Sequence, residues 1–128
     1  MPVQPCPCGS GRAYSDCCGP FIDGGEPATA EQLMRSRYTA FVLGRADHLL
    51  RTWHPSTRPE TLDLPPTGSI KWLGLQVRRT DSGGPLDNDG RVEFVARYKP
   101  GSGAAVRQHE TSRFRREDGR WLYVDELE

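Results

Sequence analysis

Lysine is nearly absent from this sequence. Two lysines, Lys71 and Lys99, stand beside 15 arginines, and 17 acidic residues bring the formal net charge to zero. A chain with no excess positive charge is not built to coat nucleic acid, whose affinity for proteins draws on cations set against phosphates. Five arginines do crowd into 107–120, but Glu110, Glu117 and Asp118 offset them. No aromatics interleave on their strand face, so no strong nucleic-acid signal emerges. No run of 18 apolar residues occurs, which argues against a membrane partner. The opening MPVQPCPCGSGR lacks the apolar middle of a signal peptide, and a cytoplasmic location is the expectation. Leu, Ile, Val and Phe number only 24 of 128 residues, and with 11 aromatics they suffice for one modest core. No P-loop, dinucleotide fingerprint, Ser-His-Asp pattern or H-E-x-x-H is present.

Cysteine is absent after residue 18, and before it lie all four: Cys6, Cys8, Cys17 and Cys18. Neighbouring cysteines are badly placed to bridge each other, and cross-bridges would staple only a tiny loop. A redox dithiol takes the form C-x-x-C, which neither pair matches. Four thiolates suit one tetrahedral zinc ion in a closed structural site. The two ligand pairs need a chain reversal between them, and Gly9-Ser10-Gly11 supplies it. Free or transiently oxidised thiols are the remaining alternative.

The stretch CPCGSGRAYSDCCG resembles the SEC-C zinc motif, best known from the C-terminal tail of the SecA translocation ATPase. The likeness covers all four ligand positions, Gly9-Ser10-Gly11 and Tyr14, within about the first 20 residues. It implies one structural zinc. It also implies a protein or ribosome-associated partner reached through the knuckle, as the SecA motif contacts an export chaperone and the ribosome. The SecA-type motif carries several lysines after its glycines. Here only Arg12 stands, against Asp16, so a partner that reads positive charge is not expected.

Beyond the knuckle, 19–28 reads as a Gly/Pro-rich link. Thr29 and Gln32 have capping-box spacing, and Leu33, Met34, Tyr38, Phe41 and Val42 recur at helical spacing, which predicts a helix over 29–43 stopped by Gly44. Asp47 is expected to cap a second short helix ending at Pro55, with Leu49, Leu50 and Trp53 inward. Residues 55–69 hold four prolines and read as a long surface loop or lid. The second half reads as strands over 70–79, 92–98, 105–115 and 121–126, the last two joined at Asp118-Gly119. Helices followed by an antiparallel meander mean an α+β fold.

The strand over 106–114 carries polar residues on its inward face. Val106 and Phe114 mark the even positions as core-facing, which turns Gln108, Glu110 and Ser112 inward with them. The same parity places Tyr123 and Asp125 inward from Trp121. Polar groups in a core need partners or a cavity, so Glu110, Ser112, Tyr123 and Asp125 are candidates to line a pocket. His54 joins them as a candidate base or ligand, against the plainer reading of a helix-end histidine bonded to a carbonyl. Two outcomes are open for Glu110: pairing with Arg35 or Arg37 of the first helix, or lining a hydrated pocket.

The segments LMRSRYTAF (33–41), TWHP (52–55), VEFVARYK (92–99), H-E-x-S-x-F (109–114) and W-L-Y-V-D (121–125) together resemble the bacterial YchJ family. The resemblance implies a SEC-C knuckle over 1–20. It also implies a cone-shaped α+β domain of the nuclear-transport-factor-two-like class over 27–128, a curved antiparallel sheet packed on N-terminal helices. Two functions follow as expectations, the first leading and the second its alternative. One is a macromolecule-docking module working through the knuckle. The other is a small enzyme or ligand carrier, binding a small molecule in the concave face of the sheet. The Gly/Pro-rich link further predicts a knuckle that unfolds on chelation without disturbing the strand domain.

Overall fold

The computed structural model describes residues 4–66 and 68–127. A 3-10 turn (Tyr14–Asp16) leads into three helices, α1 (Gly19–Ile22), α2 (Ala30–Leu43) and α3 (Ala46–Arg51). Four strands follow, β1 (Ile70–Ser82), β2 (Asp89–Pro100), β3 (Val106–Glu117) and β4 (Arg120–Leu127). They form one antiparallel sheet in the order β1-β2-β3-β4. Asp118 and Gly119 both take positive φ, 53° and 78°, between the paired residues Glu117 and Arg120. Positive φ at both turn positions is the hairpin geometry whose twist matches that of the flanking strands.

Thr29 begins α2 as its spacing requires. Its hydroxyl accepts from the Gln32 amide at 3.1 Å, and the Gln32 side chain accepts from the Ala28 amide at 2.7 Å. A cap of this kind contributes about 1 kcal/mol. Gly44 ends the helix in a left-handed conformation. The second helix starts differently from expectation. Arg45, not Asp47, is the residue before its first turn, and Asp47 lies inside that turn, paired with Arg45 at 2.9 Å. A carboxylate is stabilised there by the helix dipole, which gives Asp47 a place without capping.

The helix α2 is buried nearly all round, unlike the one-sided helix its apolar spacing predicts. Leu33, Met34 and Tyr38 are buried, but so are Ser36, Arg37 and Thr39, while Phe41 is 37 % exposed. The sheet takes one side of it, α3 another and the cysteine knuckle a third. The link over 19–28 is also more ordered than its composition suggests, because α1 seats Ile22 at 1 % exposure against Ala40 and Leu49. Leu62 and Leu64 close that second apolar cluster from the proline-rich loop.

The sheet curves at irregularities. Two in β1 fall between Trp72 and Gly74 and between Val77 and Arg79, and one in the β3–β4 pair leaves Val124 as an extra residue. Extra residues bend a strand and increase its twist. The segment after α3 runs along the free edge of β4. His54 N donates to Tyr123 O at 2.7 Å and Tyr123 N donates to Thr52 O at 2.8 Å, which brings Trp53 over the concave face.

A buried polar clip joins α2 to α3. Ser36 Oγ donates to Leu33 O at 2.8 Å and lies 2.9 Å from His48 Nε2, while Arg51 Nη2 lies 2.9 Å from His48 Nδ1. Arginine can only donate, so Nδ1 accepts, Nε2 carries the proton, and the ring is neutral. Burial, with Arg51 and Arg37 nearby, lowers the His48 pKa to about 4. The unfolded chain takes up that proton near pH 6.5, so the contribution is whole above about pH 6.5 and is lost as pH falls toward 4. At full loss it amounts to about 3 kcal/mol. Urea unfolding between pH 7.5 and 5 should therefore show falling stability, and the fall should be smaller in His48→Gln; an equal fall in both would refute this role.

Candidate metal centre and cavity

A small hairpin builds the first ligand pair. Cys6 N donates to Arg12 O at 2.9 Å, Tyr14 N donates to Gln4 O at 2.9 Å, and Pro5 bridges Ala13. Gly9 and Gly11 turn the chain at φ 78° and 84°, values a side chain tolerates poorly. The 3-10 turn then delivers Cys17 and Cys18 to the same point. The four Sγ atoms lie within 4.8 Å of one another. Cys8 and Cys17 are 3.6 Å apart and Cys17 and Cys18 are 4.0 Å apart. A tetrahedral ion with metal–sulfur bonds of about 2.3 Å sets its sulfurs about 3.8 Å apart, so the four cysteines fit such an ion.

The thiols hold one another electrostatically. Cys8 is pushed down to about 4, chiefly by the hydrogen bond from Cys18 and against the effect of burial. Cys18 is pushed up, first by that same bond to Cys8 and then by burial, and burial pushes Cys17 up. A cation at the centre of the four sulfurs would draw the protons off the thiols.

The knuckle is not an appendage. Cys6, Cys8 and Cys18 are buried in one continuous apolar cluster with Leu33, Met34, Tyr38, Leu75 and Phe94. Thr39 Oγ1 lies 3.8 Å from Cys6 Sγ, and Arg35 donates to Cys8 O at 3.0 Å while pairing with Glu31 at 2.9 Å. This shared cluster argues against the expected independence of the knuckle, because its cysteines are buried with residues of α2 and β1.

On the opposite side of α2 lies a cavity of about 310 Å³. Its walls are Tyr38, Phe41, Trp53, Trp72, Phe94 and Tyr123, and its polar lining is Arg37, Gln108, Glu110, Ser112 and Glu126. Strand parity places Glu110 and Ser112 there, and Tyr123 with them. Glu110 pairs with no arginine. It accepts from Gln108 Nε2 and sits near Glu126, and its pKa is raised, mainly by burial. The arginine-pair outcome for Glu110 is thereby ruled out among the described residues.

Asp125 lies outside the cavity, contrary to expectation. The extra residue Val124 inverts the parity of the strand end, so Asp125 faces Arg113 on the outer face of the sheet in a two-pronged pair of 2.6 and 2.7 Å. Glu126 takes the inward place opposite Ser112. A one-residue bulge leaves no mark in an alternation pattern, so Glu126 was not legible. His54 is outside as well, its ring held between Ser56 Oγ and Glu117 Oε2, both at 2.7 Å. Its neighbour Trp53 is the residue that reaches the cavity. Arg37 faces the cavity from α2, and no carboxylate pairs with it among the described residues.

The model for the middle, nuclear-transport-factor-two-like domain of YchJ matches residues 29–126, and that for the SEC-C motif matches residues 4–20. The chain belongs to the YchJ family. A UPF0225 protein of Chromobacterium violaceum is 56% identical over 125 residues, covering 95% of this chain and 91% of its own. One of Streptomyces coelicolor is 52% identical over 126 residues, covering 98% and 96%. The solution structure of a SEC-C motif-containing protein from Rhodopseudomonas palustris is 36% identical, with a TM-score of 0.82 over 95% of this chain and 96% of that one. A crystal structure from Psychrobacter arcticus is 29% identical, with a TM-score of 0.77 over 96% and 81%. These likenesses show the open sheet on N-terminal helices as a family architecture. No helix among the described residues is long and apolar enough to cross a membrane.

The burial of the sulfurs carries a consequence for metal removal. A strong chelator added to metal-loaded protein should destabilise the whole chain, seen as a lower midpoint for loss of near-ultraviolet circular dichroism from the tryptophans. Cys8→Ser should do the same, by several kcal/mol, since it loses a ligand and places a hydroxyl at a position with 0% exposure. A strand domain melting unchanged after chelation would restore the independent knuckle.

Proposed function

We propose that this YchJ protein binds a small molecule in the cavity between α2 and the sheet, as a carrier or small enzyme, and that a structural zinc ion on the cysteines staples the helix forming one wall. The cavity carries the reading. Six aromatic side chains and a handful of convergent polar groups line it, with Glu110 unpaired by any arginine among the described residues. That mixture of apolar wall and few polar groups is the usual make-up of a ligand site. For the metal, four soft thiolate donors at tetrahedral separations favour zinc. A docking role for the knuckle toward a protein or ribosome-associated partner has less support, since three of its four cysteines face the chain's own core.

The three tryptophans provide the test. Trp53 and Trp72 line the cavity, whereas Trp121 is buried elsewhere and donates to Ala28 O at 3.1 Å. In a screen of small aromatic fragments by NMR, binders should shift the indole N–H signals of Trp53 and Trp72 and leave that of Trp121 in place. Ala96→Leu, which fills the cavity, should abolish those shifts in a folded protein. Binders that map instead to the surface around Arg12 and Asp16 would refute the reading. Elemental analysis of protein purified without added metal should give about one zinc per chain.

A further inference from the structure

Arg37 is the unusual group in this cavity. It is 5% exposed, and no carboxylate pairs with it among the described residues. One nitrogen, Nη1, donates to Leu49 O at 2.8 Å and to Thr52 Oγ1 at 2.7 Å, which fixes the guanidinium in place. Its carbon lies 4.5 Å from the Tyr123 ring centroid and 5.2 Å from that of Trp53, so the two aromatic rings stabilise the cation and hold its plane. Its Nε and Nη2 have no hydrogen-bond partner among the described residues. A buried guanidinium without a counter-ion is costly, and it is stabilised when an anion reaches its free edge.

Two neighbours repeat the pattern. Ser112 is 2% exposed and lines the cavity, and its hydroxyl has no partner among the described residues. The Tyr123 hydroxyl, on the ring stacked against Arg37, also has none. All three groups line the same space and have hydrogen-bonding capacity to offer there. The acidic groups of the cavity are already answered. Glu110 accepts from Gln108, and Glu126 is exposed to solvent at the mouth. An acceptor carrying negative charge would complement this set of donors.

Building on the cavity reading above, we propose that its ligand is a small organic carboxylate. The carboxylate accepts from the free edge of Arg37, with the Tyr123 and Ser112 hydroxyls as further donors, and its apolar body lies among Trp53, Trp72, Phe94 and Phe41. The planar fork of arginine matches a carboxylate two bonds at a time, which a lysine does not reproduce.

Three probes of one shape and different charge decide the class: benzoate, benzamide and benzylamine, each titrated into the full metal-loaded chain and read at the Trp53 and Trp72 indole signals. Benzoate should bind saturably, benzamide about tenfold more weakly or worse, and benzylamine not at all. Arg37→Lys should weaken benzoate about tenfold. If that variant fails to fold, Tyr123→Phe carries the test, since it removes one hydroxyl and keeps the ring that stacks on Arg37; it should weaken benzoate several-fold and leave benzamide nearly unchanged. Benzylamine binding in place of benzoate would overturn the carboxylate and leave the cavity reading standing, with the Glu110–Glu126 pair as the selecting element. Equal binding of all three would also overturn it, since the cavity would then select shape alone. No saturable binding by any probe, together with no cavity binder in the fragment screen, would overturn both readings.

Discussion

The burial of α2 on three sides is the constraint on which this structure depends. The chain has few large aliphatic residues, and a single amphipathic face would not bury enough surface to hold a four-stranded sheet in place. The cysteines make up part of the deficit. Cys6, Cys8 and Cys18 share one buried cluster with Leu33, Met34 and Tyr38, so the cysteine cluster and the apolar core are one body. The small pair α1 and α3 closes the remaining side through Ile22, Ala40 and Leu49. The polar residues of α2 are buried as a result, and each needs its own answer. Ser36 finds His48, Thr39 lies beside Cys6, and Arg37 finds backbone, Thr52 and two aromatic rings.

This arrangement puts the cysteine cluster and the cavity on opposite sides of one helix. Arg35 and Thr39 meet the knuckle, while Met34, Arg37, Tyr38 and Phe41 line the cavity, all within two turns. The position of the helix therefore sets the width of the cavity, and the cysteine cluster helps to hold that position.

Much of the frame was legible along the chain because local rules govern it. The T-x-x-Q spacing places the start of α2, Asp118-Gly119 places the last hairpin, and alternation on 106–114 places Glu110 and Ser112 inward. The C-x-C and C-C pairs around a glycine turn meet as their spacing implies. The departures share one cause, which is that contacts distant in sequence decided them. Val124 adds one residue to β4 and exchanges Asp125 for Glu126 at the cavity. The edge pairing of 52–54 with β4 swings Trp53 over the cavity and leaves His54 between Ser56 and Glu117. The link over 19–28 looked loose by composition, yet it folds where Ile22 finds Leu49.

By itself, the sequence determined the cysteine cluster, the α+β order of elements and the inward face of β3, since each is written in spacings of a few residues that the chain's own geometry enforces. Only the tertiary structure decided that the knuckle belongs to the core, that Arg37 is buried without a counter-ion, and that Glu126 rather than Asp125 turns inward. Those outcomes depend on which surfaces meet and on where a strand takes up one extra residue, and neither is encoded in a local period.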